Sequence, residues 1–139
     1  MVPRRVLGVL VAAWVTSCLG RALPIPPPGV NPPEVEGCDP AECPNGGVRV
    51  SLTGTAQPGA VVVAEDTNPG SQGARGELLA GAARASERGD WRLVLGPQRD
   101  TAGGSVRAVQ RGDVLRVYQV TLGESGGISL SVDVTVPRR

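Results

Sequence analysis

The sequence contains no histidine and no phenylalanine, and all 14 of its basic residues are arginine. Histidine is the commonest metal ligand and general base near neutral pH, so its absence argues against most metalloenzyme and hydrolase chemistry. Aromatic residues make up only 2% of the chain, and 14 basic against 13 acidic residues leave a formal charge of +1. A nucleic-acid-binding surface needs a strong basic excess, which this composition lacks. We therefore expect no nucleic-acid partner.

Catalytic motifs are missing as well. No serine, threonine or cysteine nucleophile has a base beside it in a recognisable motif, although hydroxyl and carboxyl side chains are plentiful. We therefore predict no catalytic residue, no cofactor and no metal site, and we interpret the chain as a non-enzyme.

The N-terminal residues have the features of an export signal. Arg4 and Arg5 precede a ten-residue apolar run, 6–15, which is shorter than the roughly 20 apolar residues that cross a bilayer. The run ends at Val15-Thr16-Ser17-Cys18, which resembles the lipobox of bacterial lipoproteins, with Val where that family usually has Leu. The resemblance implies cleavage before Cys18, diacylglycerol on its sulfur and acylation of its amine, with palmitate among the acyl chains.

The same resemblance implies a location. Leu19 follows Cys18, as in lipoproteins that are sorted to the outer membrane. We therefore expect a bacterial cell-envelope protein that is held in the membrane, the outer rather than the inner one, by lipid on Cys18. The alternative is an ordinary secretory signal that is cleaved after Ala22 and gives a secreted protein. Both interpretations export the chain.

The cysteine count fits a lipid anchor. There are three cysteines, an odd number for an exported chain. If Cys18 carries lipid, Cys38 and Cys43 remain, and we predict a disulfide between them that closes a small loop. A structural zinc site is disfavoured because it needs four ligands, and the chain has no second Cys or His pair.

Proline dominates the segment after the signal. Residues 23–44 contain eight prolines, and such a density favours an extended polyproline II spacer. The alternative is a ligand for aromatic-lined grooves. We predict a signal peptide at 1–17, then a tether over 18–47 that holds the globular part away from the membrane. Gly46-Gly47 marks the expected boundary of a folded domain at 48–139.

From residue 48 onward the pattern is that of β-strands. Short apolar or alternating segments are separated by turn signals every 8–12 residues or so, which is typical of a β-sandwich. In the last segment the even-numbered residues from Ile128 to Val136 are apolar and the odd-numbered ones are polar. This period of two predicts that the even-numbered residues face the core. The strands are expected at 48–53, 61–64, 78–86, 91–95, 105–110, 114–120 and 128–136, with a short helix as the alternative for the Ala-rich segment 78–86.

Two turns carry a resemblance to a known family. Gly54-Thr55-Ala56-Gln57-Pro58-Gly59-Ala60 contains the Pro-Gly pair of a type II turn, and Gly89-Asp90-Trp91 precedes another strand. Together they resemble bacterial immunoglobulin-like (Ig-like) domains, and the resemblance covers residues 48–137. It implies an all-β fold, an Ig-like antiparallel β-sandwich of about seven strands. We expect Trp91 to anchor its core, the alternative being a surface binding residue.

Two further patterns suggest binding sites and also have ordinary explanations. The tripeptide Arg-Gly-Asp, an integrin-recognition sequence, occurs at 88–90 and 111–113, but each copy directly precedes a predicted strand, where Gly-Asp is common turn chemistry. Calcium would require the carboxylates to gather at one end of the sandwich with six to eight oxygen ligands, and their spacing does not provide these. We interpret them as solvated loop residues; they are Glu65, Asp66, Asp90 and Asp113.

We therefore predict a non-catalytic envelope lipoprotein that presents an Ig-like sandwich for protein contact or envelope structure, with an envelope protein as partner. One alternative is a surface-displayed adhesin that binds protein or carbohydrate. Such an adhesin requires an exposed aromatic or polar patch. Another alternative is a carboxypeptidase-regulatory-like accessory domain of an enzyme system, which shares the Pro-Gly-Ala-Val turn but normally lies beside a catalytic domain.

Overall fold

A computed structural model of the protein describes residues 24–73, 76–100, 104–123 and 126–139. The described residues form strands and a single 3-10 turn at Pro69–Ser71, so this part of the chain is all-β, as predicted. The strands are β1 (Gly29–Val30), β2 (Glu34–Gly37), β3 (Val48–Thr55), β4 (Val61–Asp66), β5 (Ala80–Arg84), β6 (Asp90–Leu95), β7 (Gln98–Arg99), β8 (Val106–Arg107), β9 (Val114–Thr121), β10 (Gly127–Ile128) and β11 (Val132–Thr135).

The first sheet is built around β3. Its residue Gly54 pairs with Trp91 of β6 on one side and with Val30 of β1 on the other. Further along β3, Val50 pairs with Leu95 of β6 and Val35 of β2. All pairs are antiparallel, so the sheet has β6 at one edge, β3 in the centre, and β1 followed by β2 at the other edge.

The edge formed by β1 and β2 corrects the prediction of a spacer for residues 29–37. Pro32 and Pro33 fall between the two strands, where no ladder donor is required of them, and Asn31 N–H donates to Thr53 O over 2.9 Å. Val30 pairs with Gly54 and Glu34 with Ser51, so this segment carries one more residue than β3 opposite it. The prolines therefore interrupt an edge strand through a bulge, and the sheet begins well before Gly46-Gly47.

The second sheet is built around β9. Val120 pairs with Val61 of β4 on one side and with Ile128 of β10 on the other. Beyond β4 lies β5, and beyond β10 along the same edge lies β11. The order across this antiparallel sheet is β5, β4, β9, and then β10 followed by β11. A short hairpin of β7 and β8 completes the described strands.

A second bulge corrects the predicted facing of the last strand. Ile128 pairs with Val120 and Val132 pairs with Val117, so three residues of this strand stand opposite two residues of β9. One extra residue reverses the alternation of side chains between the faces. Ser129 is consequently buried, whereas Ile128 is 70% and Leu130 62% exposed. The prediction was right for Val134 and Val136, which contact or join the core, and wrong for Ile128 and Leu130.

The core lies between the inner faces of the two sheets. Trp91, the expected core anchor, is 4% exposed and belongs to this cluster. The first sheet supplies alternate residues of β3 and β6, and the second sheet supplies alternate residues of β4 and β9. Buried members include Val50, Leu52, Leu93, Leu95, Val62, Ala64, Leu115 and Val117.

The strand connections define two ends of the sandwich. We call the N-terminal end the one formed by residues 24–28, the turn at 56–60, the turn at 85–89 and residues 122, 123 and 126 between β9 and β10. We call the far end the one formed by the loop at 38–47 and by residues 67–73, 76–79, 96–100 and 104–113. Gly29 pairs with Thr55 at the N-terminal end, whereas Val48 is bridged to Val109 at the far end.

Candidate functional site

The two turns that carry the family resemblance meet at the N-terminal end. Ala60 N–H donates to Gln57 O over 3.0 Å and Gly59 has φ 75°, as a type II turn with Pro58 before it requires. Gly89 has φ 87°, and its carbonyl accepts from Ala56 N–H over 2.8 Å. A Cβ on Gly89 would lie 2.5 Å from Ala56 O. Each turn carries the chain from one sheet to the other, and the hydrogen bond between Ala56 and Gly89 joins the two turns at this end.

A buried amide ties the N-terminal segment to the same end. Gln119 is only 2% exposed; its Oε1 accepts from Gln57 N–H over 2.9 Å, and its Nε2 donates to Pro26 O over 2.7 Å. Its backbone N–H donates to Ser129 Oγ over 2.9 Å. This residue was not predicted from the sequence. The available signal was a glutamine in the inward series Leu115, Val117, Gln119 of β9.

The outer face of the second sheet is apolar at the N-terminal end. Ile128, Val120 and Val61 form a row across three strands, and Leu122 and Leu130 are each 62% exposed beside it. We call these five residues the apolar face. Among the described residues, its members Leu122, Ile128 and Leu130 are the most exposed large hydrophobic side chains.

Polar contacts border the apolar face on the side of the far end. Tyr118 O–H donates to Glu65 Oε1 over 2.8 Å. Partial burial, this hydrogen bond and the negative charge of Glu65 raise the pKa of the Tyr118 phenol above its ordinary value. Next along β9, Arg116 Nε lies 3.4 Å from Asp133 Oδ1 in an exposed ion pair. The apolar face is therefore confined to the N-terminal end.

A cleft of about 310 Å³ opens at the far end, and its lining is mostly polar. Asn68 and Asp113 brace one wall: Asn68 Oδ1 accepts from Gly70 N–H over 3.0 Å, and Asn68 Nδ2 donates to Asp113 Oδ1 over 2.8 Å. Asp113 Oδ2 accepts from Gln110 N–H over 2.9 Å. We call this the amide-lined cleft; it is lined by Asn45, Gly46, Asn68, Gly70, Gln72, Ser105, Val106, Arg107, Ala108 and Gln110.

The carboxylates that suggested calcium are divided between the two ends. Asp66 and Asp113 lie at the far end, whereas Asp90 pairs with Thr55 at the N-terminal end. Asp66 and Asp113 are buried and hydrogen-bonded, so the interpretation of these two as solvated loop residues was wrong. Within the described ranges no group of three or more His, Cys, Asp or Glu side chains is arranged to hold a metal ion.

Both Arg-Gly-Asp tripeptides form turns. Ser86 Oγ accepts from Arg88 N–H over 3.2 Å and from Asp90 N–H over 3.1 Å, which closes the first turn. In the second turn Gly112 has φ 92°, and Asp113 is buried. The hydrogen bonding and backbone angles therefore support the interpretation of both tripeptides as ordinary turns.

The predicted disulfide between Cys38 and Cys43 is present, with 5.9 Å between the two Cα atoms. It closes a loop at the far end, and Arg49 beside this loop forms an ion pair with Glu42. Asp39 caps the loop because its Oδ1 accepts from Ala41 N–H over 3.0 Å. Cys18, the predicted site of lipid attachment, lies outside the described residues.

Comparisons of the chain with protein-family models, with curated proteins and with solved structures find no match. In the part of the chain that the structure describes, no helix has the length and apolar character needed to cross a membrane.

The geometry described above gives two candidate surfaces for binding. They are the apolar face at the N-terminal end and the amide-lined cleft at the far end.

Proposed function

We propose that the protein is a non-catalytic lipoprotein of the bacterial cell envelope. Acyl chains on Cys18 hold it in the outer membrane, and its β-sandwich presents the amide-lined cleft to an envelope protein. Support for the anchor comes from Val15-Thr16-Ser17-Cys18 and from the disulfide, which pairs the other two of the three cysteines.

The strand order supports an Ig-like arrangement. The first sheet contains β1 with β2, β3 and β6, and the second contains β5, β4, β9 and β10 with β11. The chain crosses between sheets from β3 to β4, from β5 to β6 and from β6 to β9, as in Greek-key sandwiches. In constant-type antibody domains the fourth strand joins the sheet of the first, second and fifth strands, whereas β5 here pairs with β4.

The observation that carries the proposal is the attachment of residues 24–28 to one end of the sandwich. Pro26 O accepts from Gln119 Nε2 over 2.7 Å, and Ile25 O accepts from Leu130 N–H over 3.4 Å. A chain that leaves the membrane at Cys18 therefore enters the sandwich at the N-terminal end. The far end, with its cleft, points away from the membrane.

The lining of the cleft suits a peptide backbone. Asn45, Gln72 and Ser105 are exposed at its rim, and amide side chains offer both donors and acceptors. The hydrogen bonds of Asn68 and Asp113 hold the wall in place, so a partner meets a preformed surface. The same amides also favour a second candidate, an adhesin that binds a glycan through hydrogen bonds.

Two experiments test the proposal. Cys18→Ser is expected to abolish signal-peptidase II processing and to move the protein out of the membrane fraction, because its thioether-linked lipid is lost. A photo-crosslinker placed at Gln72 is expected to give a protein adduct that Asn45→Ala weakens, whereas the same group at Val94, exposed on β6, gives none.

Each result has a defined meaning. Normal processing and membrane association of Cys18→Ser would overturn the anchor. A Gln72 adduct that carries sugar instead of protein favours the adhesin. Equal labelling from Gln72 and Val94 would show that the cleft has no partner.

A further inference from the structure

The exposed apolar residues of the second sheet are concentrated where the chain enters the sandwich. Leu122 is 62%, Ile128 70% and Leu130 62% exposed, and the bulge before β11 is what turns Ile128 and Leu130 outward. The N-terminal segment runs along this edge, since Ile25 O accepts from Leu130 N–H over 3.4 Å. Soluble proteins seldom leave such side chains grouped on one surface without something that covers them.

The length of chain between the anchor and the fold limits what can cover this surface. Pro24 follows Cys18 by six residues. Six residues span about 22 Å at most when fully extended. A free spacer over 18–47 would instead have allowed roughly 90 Å at about 3.1 Å per residue. Because residues 25–37 are bound to the sandwich, its N-terminal end stays within reach of the lipid headgroups.

Charge at the rim of the apolar face also suits a lipid surface. Arg84 is exposed and pairs with Val61, so a guanidinium group extends the row formed by Val61, Val120 and Ile128. Guanidinium groups bind phosphate oxygens in two-point hydrogen bonds, and phospholipid headgroups present such oxygens.

We propose that the apolar face lies against the surface of the membrane that holds Cys18, with Ile128 and Leu130 in the interfacial region and Arg84 at the headgroups. This inference rests on the proposed lipid anchor. Apolar side chains at the interface add to the binding of a lipid-anchored protein, and the tether makes this second contact effectively intramolecular. The contact fixes the orientation of the sandwich, so the amide-lined cleft at the far end keeps one direction relative to the membrane instead of sampling all directions.

The test uses the lipidated full-length protein reconstituted into vesicles of phosphatidylethanolamine and phosphatidylglycerol. Ile128→Cys and Leu130→Cys each receive an environment-sensitive fluorophore, and Val94→Cys serves as control because Val94 is 53% exposed on the other sheet. Cys38 and Cys43 are bonded to each other, so they do not compete for the label. With brominated lipids in the vesicles, we expect strong quenching at positions 128 and 130 and none at position 94.

A second variant tests the face without relying on labels at its centre. Ile128→Asp is placed in a protein labelled at Leu122→Cys, and its charge disfavours interfacial burial. We expect several-fold less lipid quenching at position 122, with an unchanged urea midpoint because Ile128 is exposed.

Flotation of the vesicles separates the outcomes. If the protein floats but positions 128 and 130 are quenched no more than position 94, the membrane contact is wrong and the anchor stands. If fluorescence responds to protein concentration instead of to brominated lipid, a second copy of the chain covers the face and the proposal is overturned. If the protein does not float and mass spectrometry finds Cys18 unmodified, the proposed function fails and this inference fails with it.

Discussion

The buried side-chain amide of Gln119 attaches the N-terminal segment to the sandwich. Gln119 provides an acceptor for Gln57 N–H and a donor for Pro26 O from a site that is almost fully enclosed. A buried group left without its hydrogen-bond partner costs about 1–3 kcal/mol, more than the net gain from forming the bond. One side-chain amide therefore links the type II turn to the N-terminal segment.

Replacing this amide tests that link. Gln119→Leu keeps a side chain of similar size but leaves Gln57 N–H and Pro26 O without their hydrogen-bond partner. We expect the free energy of unfolding in urea to fall by roughly 1–3 kcal/mol. Amide hydrogen exchange should rise at Gly29, Val30 and Asn31, which follow the three prolines, ahead of global unfolding. Thr135→Ala, at an exposed position of β11, is the control and should change stability by no more than about 0.5 kcal/mol. Equal exchange in both variants would contradict the role of Gln119.

The environment of Tyr118 predicts that the stability of the fold depends on pH in the alkaline range. Its pKa in the folded protein is raised by partial burial and by Glu65, above the value of about 10 for an unfolded tyrosine. The phenol therefore ionises more readily in the unfolded state, so its contribution to stability is complete below about pH 10 and is lost as the pH rises through the folded pKa. It is the only tyrosine in the chain, so tyrosinate absorbance reports this pKa directly.

Urea midpoints measured from pH 8 to pH 11 check this sign. The wild type should lose stability above about pH 10 more steeply than Tyr118→Phe, which has no phenol to ionise. A parallel decline in both proteins would show that Tyr118 does not contribute, and a titration at or below the unfolded value would show that its environment does not favour the neutral form.

At the scale of strands, the sequence predicted which side chains face the core only where a strand pairs with its neighbour without a bulge. The alternation in β3 and β6 was readable because each pairs without interruption with the other, from Val50 with Leu95 to Thr55 with Asp90. The last strand was readable only in part, because a bulge depends on the register against β9 and leaves no mark in the residues from Ile128 to Val132. Ser129 was consequently interpreted as a surface residue, although it binds Gln119.

The N-terminal strand escaped prediction for a related reason. Its prolines are typical of a spacer, yet an edge strand tolerates proline where its N–H would face away from the ladder. Pairing with β3 depends on Gly54, where the two backbones approach so closely that a Cβ would lie 1.9 Å from Gly29 O. Such an approach is a tertiary feature. Similarly, the amide-lined cleft combines three segments that are far apart in sequence, so no local sequence pattern predicts it.

Gly54→Ala tests the close approach of β1 to β3. The new methyl group would meet Gly29 O and Trp91 Cζ2, so we expect β1 to be displaced and stability to fall by about 1–3 kcal/mol. Gly37→Ala is a matched control in β2, because a Cβ there meets nothing within 4 Å. Circular dichroism melts of both variants measure the difference. Comparable stability of the two would show that the backbone contact at Gly54 is not needed.

For the molecule as a whole, Trp91 is the largest side chain between the two sheets. Trp91→Ala should remove about 3–5 kcal/mol from a total of roughly 5–15 kcal/mol, because it leaves a cavity where both sheets meet. Its ring nitrogen is buried, and no hydrogen-bond partner occurs for it among the described residues. Trp91→Phe removes that polar atom along with part of the ring, so it should cost clearly less than Trp91→Ala.

Urea unfolding of the two Trp91 variants and the wild type gives the comparison. An unmoved midpoint for Trp91→Ala would place the residue outside the core. A cost for Trp91→Phe equal to that for Trp91→Ala would contradict the cavity argument, because Phe fills much of the space that Ala leaves empty.

Under the proposed lipid anchor, the two bulges have a consequence for copies of the protein that share one membrane. Each interrupts an edge of a sheet: Pro32 and Pro33 separate β1 from β2, and residues 129–131 separate β10 from β11. A long, regular edge is a template on which another chain adds its own strand. Proteins confined to a surface meet far more often than they do in free solution, and there an unbroken edge would favour polymerisation. The bulges shorten one edge of each sheet, and so leave only the edges formed by β5 and β6 unbroken along their length among the described strands.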